Sequence, residues 1–308
     1  MILVTGDIHG EVHRVADAVA RFGLSSEDTV VLLGDTGMNY YGNKCGDHHR
    51  KKRLNNLGVT MFCVHGNHEM RPETIVTYHE TKWHGGTVYV EDEFPNLLFA
   101  KDGEVYEVAG KKAIVIGGAY SVDKWYRLQR NLHWFPDEQP SVEIKNRVEQ
   151  KLDELGWKVD LVWTHTCPEK YTPREAFLSG VNQAAVDNST EQWLDTIEDR
   201  LEYKVWYCGH WHINKRIDRI PMLISMAYIS LLVFERLFLR RKTKITLHKR
   251  GELLDRFAAL ELLDWCEKSI LPEELSYEQQ DKLLAPLNAI YSGSIPIYFS
   301  VSAAKAMV

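Results

Sequence analysis

Met61-Phe62-Cys63-Val64-His65-Gly66-Asn67-His68-Glu69 runs an apolar segment straight into a glycine, an amide, an imidazole and a carboxylate. A short apolar run bounded by glycine reads as a buried strand. Its polar residues then fall on the loop that leaves the strand. Gly-Asn is also ordinary turn chemistry, so the stretch decides little alone. It becomes informative because four other apolar runs end in the same way.

Residues 2–4 lead into Thr5-Gly6-Asp7-Ile8-His9-Gly10, and residues 29–33 into Gly34-Asp35-Thr36-Gly37. Residues 161–163 lead into Thr164-His165-Thr166, and residues 205–208 into Gly209-His210-Trp211-His212. Helical spacing lies between them. Val12, Val15, Ala16, Val19 and Phe22 form one stripe, stopped by Gly23. Ile144, Val148, Leu152 and Leu155 form another, with Ser141 as its N-cap and Gly156 as its stop. A basic helix is predicted over 47–57, with Arg50, Lys51, Lys52 and Arg53 as a solvated face, and a further helix over 190–201. Residues 87–90, 97–100, 104–108 and 112–116 read as an antiparallel meander with a hairpin at Asp102-Gly103. The predicted class is α/β, two packed sheets with helices outside.

The five strand ends deliver Asp7 and His9, Asp35, Asn67 and His68, His165, and His210 and His212. Open α/β sheets place their sites at this edge, and residues two apart on an extended segment point the same way. Setting His68 aside, four imidazoles, two carboxylates and an amide carbonyl make a mixed nitrogen and oxygen donor set. Such a set suits Mn, Fe, Zn or Co better than Mg or Ca. It also exceeds what one tetrahedral ion uses, which favours two ions about 3.5–4 Å apart. Any one of these residues is more often a core histidine or a turn-forming aspartate. Five occurrences at strand ends point to a metal centre.

These motifs together resemble the calcineurin-like metallophosphoesterases over about residues 1–217. The resemblance implies a four-layer α/β/β/α sandwich of two mixed sheets with a dinuclear metal site at the strand ends. It places Asp7, His9 and His212 on one ion, Asn67, His165 and His210 on the other, and Asp35 across both. It places His68 just outside, as general acid or as a hydrogen-bond donor to phosphate. The expected reaction is hydrolysis of a phosphomonoester or phosphodiester by a hydroxide bridging two divalent transition-metal ions. Glu69 either supports a neighbouring imidazole or is an exposed carboxylate in a first helical turn. Protein serine/threonine phosphatases of this superfamily carry arginines after Gly-Asp and before Gly-Asn-His. Here those stretches read Gly34 to Tyr40 and His65-Gly66-Asn67-His68, without arginine. A guanidinium's bidentate grip is not replaced by Asn or His. A phosphoprotein phosphatase is therefore the first alternative, and a non-catalytic metal-stabilised scaffold the second. Asn39, Tyr40, Tyr120, Lys124 and Arg127 are candidate substrate contacts from nearby loops.

The chain has 308 residues, 44% hydrophobic and 26% charged, with a formal charge of −6, which gives no reason to expect non-specific nucleic-acid binding. A nucleic-acid substrate stays open beside a nucleotide or a small phosphorylated metabolite. Five cysteines without CxxC pairing read as reduced thiols. With a motif this near the first residue, no signal peptide is expected, and a cytoplasmic setting follows. The phosphoesterase domain is expected over 1–219 and an extension over 220–308, whose first part could complete the second sheet. The apolar run 220–234 is shorter than the roughly 20 residues of a spanning helix. Buried strands or a packed helix are preferred there to an anchor on a membrane surface. Residues 251–287 contain amphipathic stretches that read as helices.

Overall fold

The computed structural model describes residues 1–223, apart from Asn43, Lys44 and Ser179. The expectations for the rest of the apolar run, the basic cluster after it and the helices of 251–287 lie outside the described residues.

The described residues form two mixed six-stranded sheets. The first has the order β1 (Ile2–Thr5), β2 (Thr29–Leu32), β3 (Thr60–Cys63), β6 (Leu97–Ala100), β5 (Gly86–Val90), β4 (His79–Trp83). Its first four strands are parallel, β5 runs antiparallel to β6, and β4 runs antiparallel to β5. The second has the order β11 (Lys215–Ile217), β12 (Ile220–Met222), β10 (Val205–Cys208), β9 (Leu161–Thr164), β8 (Lys111–Ile116), β7 (Val105–Val108). Strands β12, β10, β9 and β8 are parallel, flanked by antiparallel β11 and β7. β12 begins one residue after the expected boundary at 219.

Strand alternation sorts the apolar residues into layers. Val31, Leu33, Phe62 and Val64 turn inward and meet Val115, Trp163 and Tyr207 of the second sheet. Phe62 centres this layer, with ring centroids of Trp83 and Tyr106 at 4.8 Å and Trp163 at 5.5 Å. Val30, Leu32, Met61 and Cys63 turn outward, against α1 (Val12–Phe22) and α2 (Cys45–Asn55). On the far side Ile144, Val148 and Leu152 of α4 (Val142–Glu154) pack with Leu194 and Ile197 of α5 (Ser189–Glu198) over the second sheet. The order is helix, sheet, sheet, helix. The Ser141 hydroxyl caps α4, accepting from the Ile144 amide at 3.3 Å. Sheets buried on both faces explain why the strands read as continuous apolar runs.

The predicted meander is corrected. β6 pairs parallel with β3 in the first sheet, while β7 and β8 belong to the second. Asp102-Gly103 is thus the crossover between sheets and not a hairpin turn. Buried Asp102 holds it, accepting from Arg71 Nη1 at 2.6 Å and the Gly117 amide at 2.7 Å. The hairpin turn lies at Ala109-Gly110 instead, both with positive φ (51° and 70°). The basic face of α2 is corrected too. Lys51 is fully buried, its Nζ 2.6 Å from Glu91 and 4.8 Å from the Tyr78 ring centroid. No helix among the described residues is long and apolar enough to cross a membrane.

Candidate metal centre

The C-terminal ends of β1, β2 and β3 from one sheet meet those of β9 and β10 from the other. Glycine makes the approach close enough. A Cβ on Gly34 would overlap the His165 ring, and one on Gly66 would overlap the Asp35 amide and carboxylate. Four of the seven predicted ligands sit in the left-handed backbone region: His9 (φ 44°), Asp35 (45°), His210 (65°) and His212 (51°). That conformation is uncommon outside glycine and concentrates at functional sites. Backbone amides lock the loops together. His9 N–H donates to the Asp35 carbonyl at 2.8 Å, and Gly209 N–H to the His165 carbonyl at 2.8 Å. Asp35 Oδ1 accepts from the His68 amide at 2.8 Å, and Asp7 Oδ1 from the His210 amide at 3.0 Å.

All seven predicted ligands converge, in two groups. One ligand atom from each of Asp7, His9 and His212 lies within 4.8 Å of the others. His212 Nε2 is 3.0 Å from Asp7 Oδ2 and 3.0 Å from His9 Nε2. In the second group Asn67 Oδ1 lies 2.7 Å from His165 Nε2 and 3.1 Å from His210 Nδ1. Asp35 stands between them: Oδ2 is 3.9 Å from His9 Nε2, and Oδ1 is 3.7 Å from His165 Nε2.

The chemistry of this donor set fits cations. His165 Nδ1 lies 2.8 Å from the Leu33 carbonyl, which can only accept, so Nδ1 carries a proton and Nε2 is the nitrogen turned to the centre. Asn67 Nδ2 donates to Ser121 at 2.8 Å, and its oxygen faces His165 Nε2. The two atoms are 2.7 Å apart, so either a proton or a cation can join them. Asp7 Oδ2 is buried and lacks a well-directed hydrogen bond. Burial raises the Asp7 carboxyl, but His212, His165 and the His210 amide outweigh it and hold Asp7 below the usual carboxylate range. Burial, then the charge of Asp7, pushes Asp35 well above that range. Burial also lowers His9, and His210 to about 3, which favours both as neutral rings.

His68 is half-buried, its ring 5.8 Å from that of His9 between centroids. Burial, followed by the charge of Arg127, lowers its pKa to about 2, so the imidazole is neutral. Glu69 matches neither expectation. It is buried, and its carboxylate accepts from the Thr36 amide (3.3 Å), the Thr36 hydroxyl (2.5 Å) and the Gly66 amide (3.1 Å). It clasps the loops after β2 and β3 and bonds to no imidazole. Burial and Asp35 raise it to about 7.

The five candidate substrate contacts separate. Asn39 is buried and accepts from the Tyr78 hydroxyl at 2.9 Å, which makes it part of the scaffold. Arg127 joins Tyr40, with Nη1 3.3 Å from the Tyr40 hydroxyl and 3.2 Å from the His133 carbonyl, while Nε donates to Asp123 at 2.7 Å. Its charge acts on His68, His9 and Asp35. Lys124 lies instead over the Trp134 ring at 4.1 Å, with the Tyr120 ring 6.0 Å away. Sequence reasoning overlooks Ser121, which holds Asn67, and Arg14, whose Nη1 donates to the Asp7 carbonyl at 2.7 Å. Arg14 carries no local signal at all, and Ser121 only its place at the end of the Gly117-Gly118 loop.

Residues 1–214 match the family described as calcineurin-like phosphoesterase. Among solved structures, TT1561 of Thermus thermophilus is similar at 13% identity and a TM-score of 0.43, over 72% of this chain and 87% of that one. AQ665 from Aquifex aeolicus, a protein of unknown function, is similar at 16% identity and a TM-score of 0.26, over 54% and 80%. No protein of curated function matches the sequence. With residues 1–214 of 308 matched and seven ligand-type side chains gathered at the strand ends, this chain belongs to the calcineurin-like phosphoesterases, a family of metal-dependent phosphoester hydrolases.

Proposed function

We propose that the protein hydrolyses a phosphomonoester or phosphodiester with two divalent transition-metal ions drawn from Mn, Fe, Zn and Co. The observation that carries this reading is Asp35, whose two carboxylate oxygens face different imidazoles, His165 at 3.7 Å and His9 at 3.9 Å. Asp7, His9 and His212 would hold one ion, Asn67, His165 and His210 the other, and Asp35 would touch both. When bound, such ions neutralise phosphate oxygens and acidify water, which supplies the nucleophile near neutral pH.

The protein's own groups do the rest. His68, neutral and half-exposed beside His9, donates an N–H to the phosphate or the leaving oxygen. Arg127, anchored by Asp123, Tyr40 and His133, offers a fixed positive charge to an incoming phosphate. That guanidinium arrives from α3 (Lys124–Gln129) and its flank, an element remote in sequence from the loops where protein phosphatases keep theirs. The substrate is a small phosphorylated metabolite or a nucleotide. Free thiols at Cys45, Cys63, Cys167 and Cys208 support a cytoplasmic setting.

Metal analysis coupled to hydrolysis of paired mono- and diester chromogenic substrates tests the reading. Wild type should hold close to two ions per chain and turn over at least one substrate. Asp35→Asn should lose more than about 100-fold in activity together with bound metal, since even outer-shell partners cost about 10–100-fold. His68→Ala should lose about 10²-fold or more with its metal retained. Full metal without activity on any phosphoester favours the scaffold alternative, and no uptake of transition metal overturns the proposal.

A further inference from the structure

Half of the large apolar side chains exposed among the described residues fall between positions 122 and 132: Val122, Trp125, Tyr126, Leu128 and Leu132. They belong to α3 and its flanks. Trp125 is 62% exposed and Tyr126 54%, so both rings are open to solvent. Apolar side chains gathered in this way on a surface mark an interaction site. The patch is also cationic. Residues 120–134 hold Lys124, Arg127 and Arg130 against one acid, Asp123, whose carboxylate is paired with Arg127 Nε at 2.7 Å. Arg130 Cζ lies 5.1 Å from the Tyr126 ring centroid, and Lys124 Nζ lies 5.5 Å from that of Trp125. In a chain of formal charge −6 this run is a local reversal of sign.

The patch adjoins the metal centre. Arg127 Nη1 lies 3.3 Å from the Tyr40 hydroxyl. Tyr40 sits on the loop that leaves Gly37, where a Cβ would come within 2.6 Å of the Gly10 nitrogen, next to His9. A phosphate drawn to Arg127 therefore has the rings of α3 beside it, Tyr126 being the neighbouring residue. The chemistry selects the occupant. Two proteins that dock through apolar side chains keep charge out of the middle of the contact, whereas here cations stand against the rings themselves. Nucleobases stack on exposed aromatic rings, and the phosphates between them pair with cations alongside. We propose that α3 binds the bases of a single-stranded oligonucleotide, one of whose phosphates is offered to the metal centre. The inference rests on the phosphoesterase reading above, and of its substrates it selects the nucleotide, extended by its neighbours in a strand.

Fluorescence anisotropy of a labelled phosphorothioate oligothymidylate of about 12 nucleotides, titrated with the full chain, tests it. Trp125→Ala with Tyr126→Ala should weaken binding by about 10-fold or more, the effect of losing stacked bases, with folding checked by circular dichroism. Trp125→Phe with Tyr126→Phe keeps two rings and should bind within about 3-fold of wild type. Arg130→Gln should make the salt dependence shallower by about 0.7 in logarithmic slope, the contribution of one phosphate contact on a single strand. No binding by wild type overturns the inference, and so does binding that the double alanine variant retains. Preference for phosphatidylserine vesicles over the oligonucleotide, or self-association that the alanine variant abolishes, overturns it in favour of a lipid surface or a second copy. In each of these cases metal uptake and hydrolysis of small chromogenic esters leave the phosphoesterase reading standing. A protein that binds the strand through these rings but holds no metal overturns that reading alone.

Discussion

His165 Nδ1 donates to the carbonyl oxygen of Leu33 at 2.8 Å, tying the second sheet's ligand to the strand end of the first. The bond fixes the tautomer before any cation arrives. In metal-stripped protein, long-range ¹⁵N–¹H correlation spectra should show the His165 proton on Nδ1. A ring protonated on Nε2 alone contradicts the assignment and removes its lone pair from the centre.

Lys51 and Glu91 form a buried ion pair at 2.6 Å, and Thr77 adds a hydroxyl to Glu91 at 2.5 Å. Breaking such a pair from one side leaves an uncompensated buried charge, at a cost of about 3–5 kcal/mol. Lys51→Met should lose that much in urea denaturation, and Lys51→Met with Glu91→Gln should recover most of it. Equal midpoints for wild type and Lys51→Met would mean that the pair contributes nothing.

Glu191 is buried against the Thr166 hydroxyl, 2.7 Å away. Burial raises its carboxyl from the ordinary 4.5 to about 7, an effect its hydrogen bond to Thr166 only partly offsets. Because the folded value exceeds the unfolded one, the group's contribution is complete below about pH 4.5 and is lost as pH rises through about 7. The swing is on the order of 3 kcal/mol. Glu191→Gln, which keeps an acceptor for Thr166, should flatten the stability profile between those pH values. Parallel profiles for the two proteins would contradict this.

A chain ending after Arg219 loses β12 from between β10 and β11, and Leu223 from the layer between the sheets. Ile220, Met222 and Leu223 are buried, each contributing about 1.5–3 kcal/mol, together comparable with the 5–15 kcal/mol that holds a whole domain. The shortened protein should fail to fold or melt far below the full chain. Unaltered melting would show the last strand to be dispensable.

The strand ends are legible in the sequence because each announces itself locally, as an apolar run broken by glycine and a ligand-type residue. Alternation along β2 and β3 likewise sorts Val30 and Leu32 from Val31 and Leu33 without outside information. Asp102-Gly103 is not legible, since the same dipeptide serves a reversal within one sheet or a step between two. Arg71, 31 positions earlier, decides which. Lys51 looks like its neighbours Lys52 and Arg53, and its burial depends on Glu91, 40 positions later. Glu69 reads as a first-turn carboxylate until Thr36 closes on it from another loop. What eludes the sequence throughout is a polar residue whose partner lies tens of positions away along the chain.

The left-handed backbone at His9, Asp35, His210 and His212 bears on how such a centre could be re-engineered. A designer seeking a softer cation would replace oxygen and nitrogen donors with thiolates. At those four positions the substitute must first tolerate a conformation that most side chains resist, whatever its coordination chemistry. Asn67 and His165, whose φ angles are not positive, impose no such condition. Re-tuning of metal preference should therefore begin on the Asn67–His165 half of the centre. The Asp7–His9–His212 half is the more constrained, because two of its three ligands answer to the backbone before they answer to the ion.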